Sequence, residues 1–301
     1  MLIRPDPLNP GECIGIFLPS SPAKEPFRSQ GLQALRELGF KPREVANVLS
    51  GSDFFARPPE QTMNDLKQFF ADREIKALWA GRGGYGSNYL LPLLERLVIQ
   101  TPKIVIASSD VSYFLWQLLE RRMVVFYGPM IYGGMAAGAY DRDQVLATIT
   151  ANQMPQRFAG SVLCPGQASG PIGGGCLSNF VSLLGTRYLP VLKNRILLLE
   201  DVNERPYRLD RMLWQCEQAG VFRRLRGLLL GEFPNCFHDE NEKGTFYGRW
   251  REKLGRLGIP VLYDMPFGHA RSAQVLPLGV TGSIDTESVP YPFSCEIGVK
   301  W

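Results

Sequence analysis

The feature that most constrains this chain is a rhythm in its first half, where short, wholly apolar runs alternate with helical stripes. Residues 13–18 form one such run, which stops at Pro19-Ser20-Ser21-Pro22. Residues 27–38 carry Leu32, Leu35 and Leu38 on one face, and Gly39 sits where a helix C-cap belongs. Pro59–Ala71 sets Met63, Leu66 and Phe70 at helical spacing. Ile75–Ala80 and residues 103–107 read as buried strands, and 111–120 put Phe114, Leu115, Leu118 and Leu119 on one stripe. A strand that is apolar along its whole length is covered on both faces. Helices between such strands imply an α/β fold with a parallel sheet.

The rhythm breaks at 160–175, where six glycines, Pro165 and Pro171 fall in sixteen residues without a charge. This reads as a linker. The expected organisation is an N-terminal α/β domain over 1–160, a Gly/Pro-rich linker over 161–175 and a C-terminal domain over 176–301. The second half restarts with the apolar stretch 177–184. Residues 195–200 form an apolar strand ending in an acid. Residues 209–219 make a helix with Met212, Leu213, Cys216 and Ala219 inward, and 246–257 make another on Phe246, Trp250 and Leu254. Short strands and turns follow from Pro260 onward.

Composition removes several function classes. A net charge of +4 over 301 residues is too small to imply a nucleic-acid partner, and no basic run supports one, so none is expected. The longest uncharged apolar stretch, 123–140, holds four glycines and Pro129, whereas a spanning helix needs about 20 mainly apolar residues. The early apolar run Ile14 to Leu18 is too short for a signal peptide, so a cytoplasmic location is expected. Cys13, Cys164, Cys176, Cys216, Cys236 and Cys295 lack any C-x-x-C pair and read as reduced thiols. Without metal-ligand spacing among Cys and His, neither a metal nor another cofactor is expected.

Chemistry then has few places to live. Of the two histidines, His238 lies in a polar loop, while His269 follows Gly268 after an apolar run, a placement that presents a side chain at a sheet edge. Ser109 lies between a strand and a helix, an arrangement that exposes a hydroxyl near helix N-terminal amides. The N–H of Asp110 would be an oxyanion donor there. The flanking glycines of a G-x-S-x-G elbow are absent, Ala107 and Val111 standing in their places. Glu200 ends a buried strand, and on residue type alone Asp201 and Glu204 compete with it. Gly81-Arg82-Gly83-Gly84-Tyr85-Gly86 matches a dinucleotide fingerprint, but no acid lies near 20 residues beyond its first glycine.

Taken together, Pro19-Ser20-Ser21-Pro22, the 81–86 turn, Ser109-Asp110-Val111, Gly128-Pro129-Met130, Gly174-Gly175-Cys176-Leu177-Ser178, Gly185-Thr186, Leu198 through Val202, Tyr207 through Arg211 and Gly268-His269 resemble the LD-carboxypeptidase family. That family includes muramoyl-tetrapeptide carboxypeptidases and microcin C self-immunity peptidases. The resemblance implies a Rossmann-like N-terminal domain joined to a smaller, β-rich C-terminal domain. It implies a Ser–His–Glu triad with Ser109 as nucleophile, His269 as base and Glu200 as acid, choosing Glu200 over Asp201. With that triad, residue chemistry leads to the expectation of an oxyanion site at the N–H groups of Asp110 and Gly84, with Arg82 on the substrate carboxylate. The implied reaction cleaves the bond before a terminal D-residue, such as D-alanine in murein tetrapeptide, so the partner is a small peptide. Family members tend toward homodimers. The alternatives are a microcin-type acyl-amide hydrolase and a non-catalytic nucleotide- or peptide-binding module built on the glycine turn. The sequence departs from the family at Ala107-Ser108 and at Cys176.

Overall fold

The computed structural model describes residues 1–46, 55–150 and 155–300. In its first half β1 (Cys13–Phe17), α1 (Phe27–Glu37), β2 (Lys41–Glu44), α2 (Pro59–Ala71), β3 (Ile75–Ala80), α3 (Leu91–Leu94), β4 (Ile104–Ala107), α4 (Ser112–Glu120), β5 (Val125–Tyr127) and α5 (Arg142–Ile149) follow one another. The strands assemble in the order β2-β1-β3-β4-β5, all parallel. This is the doubly wound arrangement expected from the alternating runs, with a topological switch between β1 and β3.

The second half supplies β6 (Gln156–Phe158), β7 (Ser161–Cys164), β8 (Gln167–Cys176), α6 (Leu177–Leu183), β9 (Ile196–Glu200), α7 (Pro206–Gln218), β10 (Gly227–Gly231), α8 (Glu240–Gly255), β11 (Val261–Met265), β12 (Leu276–Leu278), β13 (Thr281–Asp285) and β14 (Phe293–Cys295). Eight of these strands join in one sheet in the order β6-β14-β13-β8-β9-β10-β11-β7. Its centre, β8-β9-β10-β11, is parallel and its flanks are antiparallel. β12 crosses back to the first sheet and pairs antiparallel with β5.

The stretch 161–175, expected to be a linker, is instead strand: β7 occupies its start and β8 nearly all the rest. Its glycines serve close packing. A Cβ on Gly174 would lie 2.3 Å from the Leu198 carbonyl oxygen, and one on Gly173 would lie 2.8 Å from the Trp116 ring. Trp116 belongs to α4, so this glycine surface is where the first half seats its helix against the second sheet. The buried apolar residues form one cluster running through both halves.

Both sheets deliver the ends of their parallel strands to one place. Ser20 follows β1, the 81–86 turn follows β3, and Ser109 follows β4. Cys176, Glu200 and Gly231 end β8, β9 and β10, and His269 follows β11. Functional groups at carboxyl ends of parallel strands are the rule in such folds.

Candidate active site

Ser109 begins a short 3₁₀ turn that leads into α4. Its φ is +53°, in the left-handed region, which costs an L-residue about 1–2 kcal/mol. Three side chains hold it there. Its carbonyl oxygen accepts from Ser112 Oγ at 2.6 Å and from Asn179 Nδ2 at 3.0 Å, and its N–H donates to Tyr127 Oη at 3.3 Å. The sharp turn that a G-x-S-x-G motif would mark is therefore present without the glycines. What makes it legible is the hydrogen bonding around it, which has no local sequence signature.

Asp110 anchors the turn from beneath. Its buried carboxylate accepts from Ser20 Oγ at 2.5 Å and from the Ser87 N–H at 2.8 Å, and the Ser87 hydroxyl donates to its carbonyl oxygen. The loops after β1, β3 and β4 are thus tied to one another. The Asp110 and Gly84 N–H groups have no acceptor among the described residues. Gly84 has φ +112°, and a Cβ there would lie 2.2 Å from Ser21 Oγ. Gly83 sits directly against the serine: a Cβ on it would be 3.1 Å from Ser109 Oγ. Arg82 donates from one guanidinium nitrogen to the Pro22 carbonyl at 2.8 Å.

On the opposite side, Glu200 is fully buried. One oxygen, Oε2, lies 2.7 Å from His269 Nδ1 and accepts from the His269 N–H at 3.2 Å, while Oε1 accepts from the Tyr127 hydroxyl. Burial pushes the Glu200 carboxyl up, but the charge and hydrogen bonds of His269, with that of Tyr127, outweigh it and hold the group below its ordinary range. Burial pushes His269 down. The charge and hydrogen bond of Glu200, with a further contribution from Asp201, outweigh that and raise it. An ionised carboxylate only accepts, so Nδ1 carries the proton and Nε2 is free to act as a base.

Glycines shape the surroundings of this carboxylate. Gly268 has φ +74°, and a Cβ there would lie 2.2 Å from Glu200 Cδ. Asp201, the competing acid, points elsewhere: it accepts from the Ser178 and Val202 N–H groups at 2.8 and 2.9 Å and so caps the start of α6. Cys176 is buried beside both acids. Burial, followed by the charges of Asp201 and Glu200, pushes its thiol far up, so it stays protonated.

Ser109, Arg82, Gly84 and His269 line one cleft of about 600 Å³, which Ser108, Lys24, Tyr132 and Asn235 help to wall. Asp110 does not line it; its carboxylate is buried beneath the turn. No hydrogen bond joins Ser109 Oγ to His269 among the described residues. Nucleophile–base contacts are commonly long in a free enzyme and tighten when substrate binds. His238 lies outside the cleft, its N–H held by the Glu242 carboxylate near the start of α8. Among the described residues no helix is long and apolar enough to cross a membrane. Sequence reasoning missed Tyr127, Asn179 and Ser112. Tyr127 adjoins the Gly128-Pro129-Met130 motif, which was the one available signal.

The family model for the LD-carboxypeptidase N-terminal domain matches residues 14–128, and that for the C-terminal domain matches 169–284. A murein tetrapeptide carboxypeptidase of Pseudomonas aeruginosa is 29% identical over 249 residues, covering 77% of this chain and 80% of that protein. The solved muramoyltetrapeptide carboxypeptidase of Oxalobacter formigenes is 25% identical, with a TM-score of 0.81 over 95% of this chain and 98% of its own. The microcin C7 self-immunity protein MccF, solved with aspartyl sulfamoyl adenosine, shares the fold at 22% identity. Its TM-score is 0.88, over 99% of this chain and 100% of its own. The chain belongs to the LD-carboxypeptidase family of serine peptidases.

Proposed function

We propose that this protein removes the terminal D-alanine from murein tetrapeptide, with Ser109, His269 and Glu200 as its triad. The observation that carries the reading is the Glu200–His269 pair facing a cleft whose other wall holds a serine at positive φ. His269 Nε2 takes the proton of Ser109 as Oγ attacks the scissile carbonyl. The negative charge that forms on the carbonyl oxygen is met by the Gly84 and Asp110 N–H groups, whose lack of other acceptors supports that role. Collapse of this intermediate breaks the C–N bond, and the imidazolium returns the proton to the departing amine. Water, deprotonated by His269, then releases the tripeptide from Ser109. Arg82 on the cleft wall suits the carboxylate of the terminal residue.

The triad would then be divided between an N-terminal domain built on the first sheet, with Ser109, and a C-terminal domain built on the second sheet from β6 onward, with Glu200 and His269. Six unpaired thiols support a reducing, cytoplasmic setting and hence a role in recycling murein peptides. The test is incubation with purified murein tetrapeptide and chiral detection of free alanine. D-alanine and tripeptide in equal amounts are expected. Cleavage of an aminoacyl sulfamoyl nucleotide, with the tetrapeptide left intact, would reject the murein substrate while keeping the triad.

A further inference from the structure

We propose that Tyr127 is a positioning residue whose single hydroxyl, accepting from the Ser109 N–H and donating to Glu200 Oε1, joins the nucleophile's backbone to the triad acid across the two halves of the molecule. The inference rests on the triad assignment above and adds a residue to it.

Tyr127 Oη has one proton and can accept from a donor. Glu200 is ionised and accepts only, so the proton points at Oε1. The remaining capacity of the oxygen takes the Ser109 N–H at 3.3 Å. The direction of both bonds is therefore fixed: amide to phenol to carboxylate. Tyr127 is fully buried, at the end of β5 between β4 and β12. Burial, followed by the Glu200 charge, pushes its hydroxyl far above the ordinary tyrosine range, so it stays protonated and a donor at neutral pH.

Each bond does separate work. The first holds the positive φ at Ser109 that aims Oγ into the cleft. The second satisfies the Glu200 oxygen that His269 leaves free. Without it, a buried carboxylate oxygen would lose its donor, and the charge on Glu200 would be drawn more fully to His269. The groups facing His269 and Glu200 are Asp201 just after β9, Cys176 on β8 and Tyr127 on β5. Asp201, engaged in capping α6, adds a charge that also raises His269, and Cys176 stays a thiol; of the three, Tyr127 is the one hydrogen-bonded to the pair.

Tyr127→Phe removes the oxygen and little else. The expected result is a fall in kcat of roughly 10- to 100-fold, the scale of one hydrogen bond to a charged group, with KM for murein tetrapeptide nearly unchanged. The imidazole of His269, followed by NMR, should titrate at higher pH than in the wild type. With only two histidines in the chain, His238→Gln assigns the signal. If Tyr127→Phe does not fold, 3-fluorotyrosine at position 127 keeps the shape while making the phenol a stronger donor. It should shift the His269 titration the opposite way, to lower pH. Unchanged kcat and unchanged titration in the folded Phe variant overturn the proposal, and so does lowered thermal stability alone. In the fluorotyrosine protein, no downward shift overturns it. Ser109→Ala, run alongside, separates the two ideas: if that variant still releases D-alanine, the triad itself is wrong.

Discussion

At the scale of single residues, two neighbouring acids have opposite fates. Glu200→Gln should lower kcat about 10⁴-fold, because an amide cannot stabilise imidazolium and offers a donor where His269 and Tyr127 already donate. Asp201→Asn should keep most of the rate and lose about 1–2 kcal/mol of stability, since its job is to accept two backbone N–H groups. Steady-state rates and thermal unfolding of both variants check this; a mild Glu200 change beside a damaging Asp201 change contradicts it. Residue type alone left these acids tied, and the family resemblance chose between them. The physical reason is the last residue of β9, whose carboxylate reaches the loop after β11 while the next one turns back to α6. The His269–Glu200 pair also sets a pH window. His269 is raised, so its contribution to stability is complete below about pH 6.5 and is lost as pH climbs through its folded value. Glu200 is lowered, so its contribution is complete above about 4.5 and is lost as pH falls through its folded value. The pair therefore stabilises most fully between these limits, as denaturant titration should record. With His269 as the proposed base, activity requires it neutral, so the ascending limb of kcat/KM should lie above 6.5; a midpoint below that value contradicts the pairing.

At the scale of elements, Gly268 on the loop after β11 offers a direct test of geometry. Gly268→Ala meets both a positive φ and the Glu200 carboxyl, so the loop or the carboxylate must move. A loss of about 1–3 kcal/mol and a rate fall of more than tenfold are expected, read by unfolding and by D-alanine release. Full activity in this variant would mean that the His269 loop tolerates a different path. Elements announced by apolar periodicity were legible: α2 and β3 have the bounds their spacing implies. α8 begins at Glu240, ahead of its apolar stripe at Phe246, because Asp239 caps it by accepting from the Glu242 N–H at 2.8 Å. β2, Lys-Pro-Arg-Glu, has no apolar signal and is strand only because β1 offers a parallel partner. β8 hid behind its glycines. The signal read as a linker was room for Leu198, Trp116 and Ser112 to approach.

At the scale of the whole molecule, the two halves interlock more than a linker would allow. β12 comes from the second half yet completes the first sheet, and Tyr127 and Ser109 of the first half bond to Glu200 and Asn179 of the second. Fragments 1–160 and 161–300 should each be inactive, whether or not either folds. The account's central claim is that one hydroxyl from the first sheet reacts under the control of an acid–base pair from the second. The most direct test is kcat/KM for murein tetrapeptide in Ser109→Ala, with Ser108→Ala as control. The account predicts a loss of at least about 10³-fold for Ser109→Ala, with unfolding close to wild type, and near-normal activity for Ser108→Ala. A loss below about tenfold at Ser109 would contradict it.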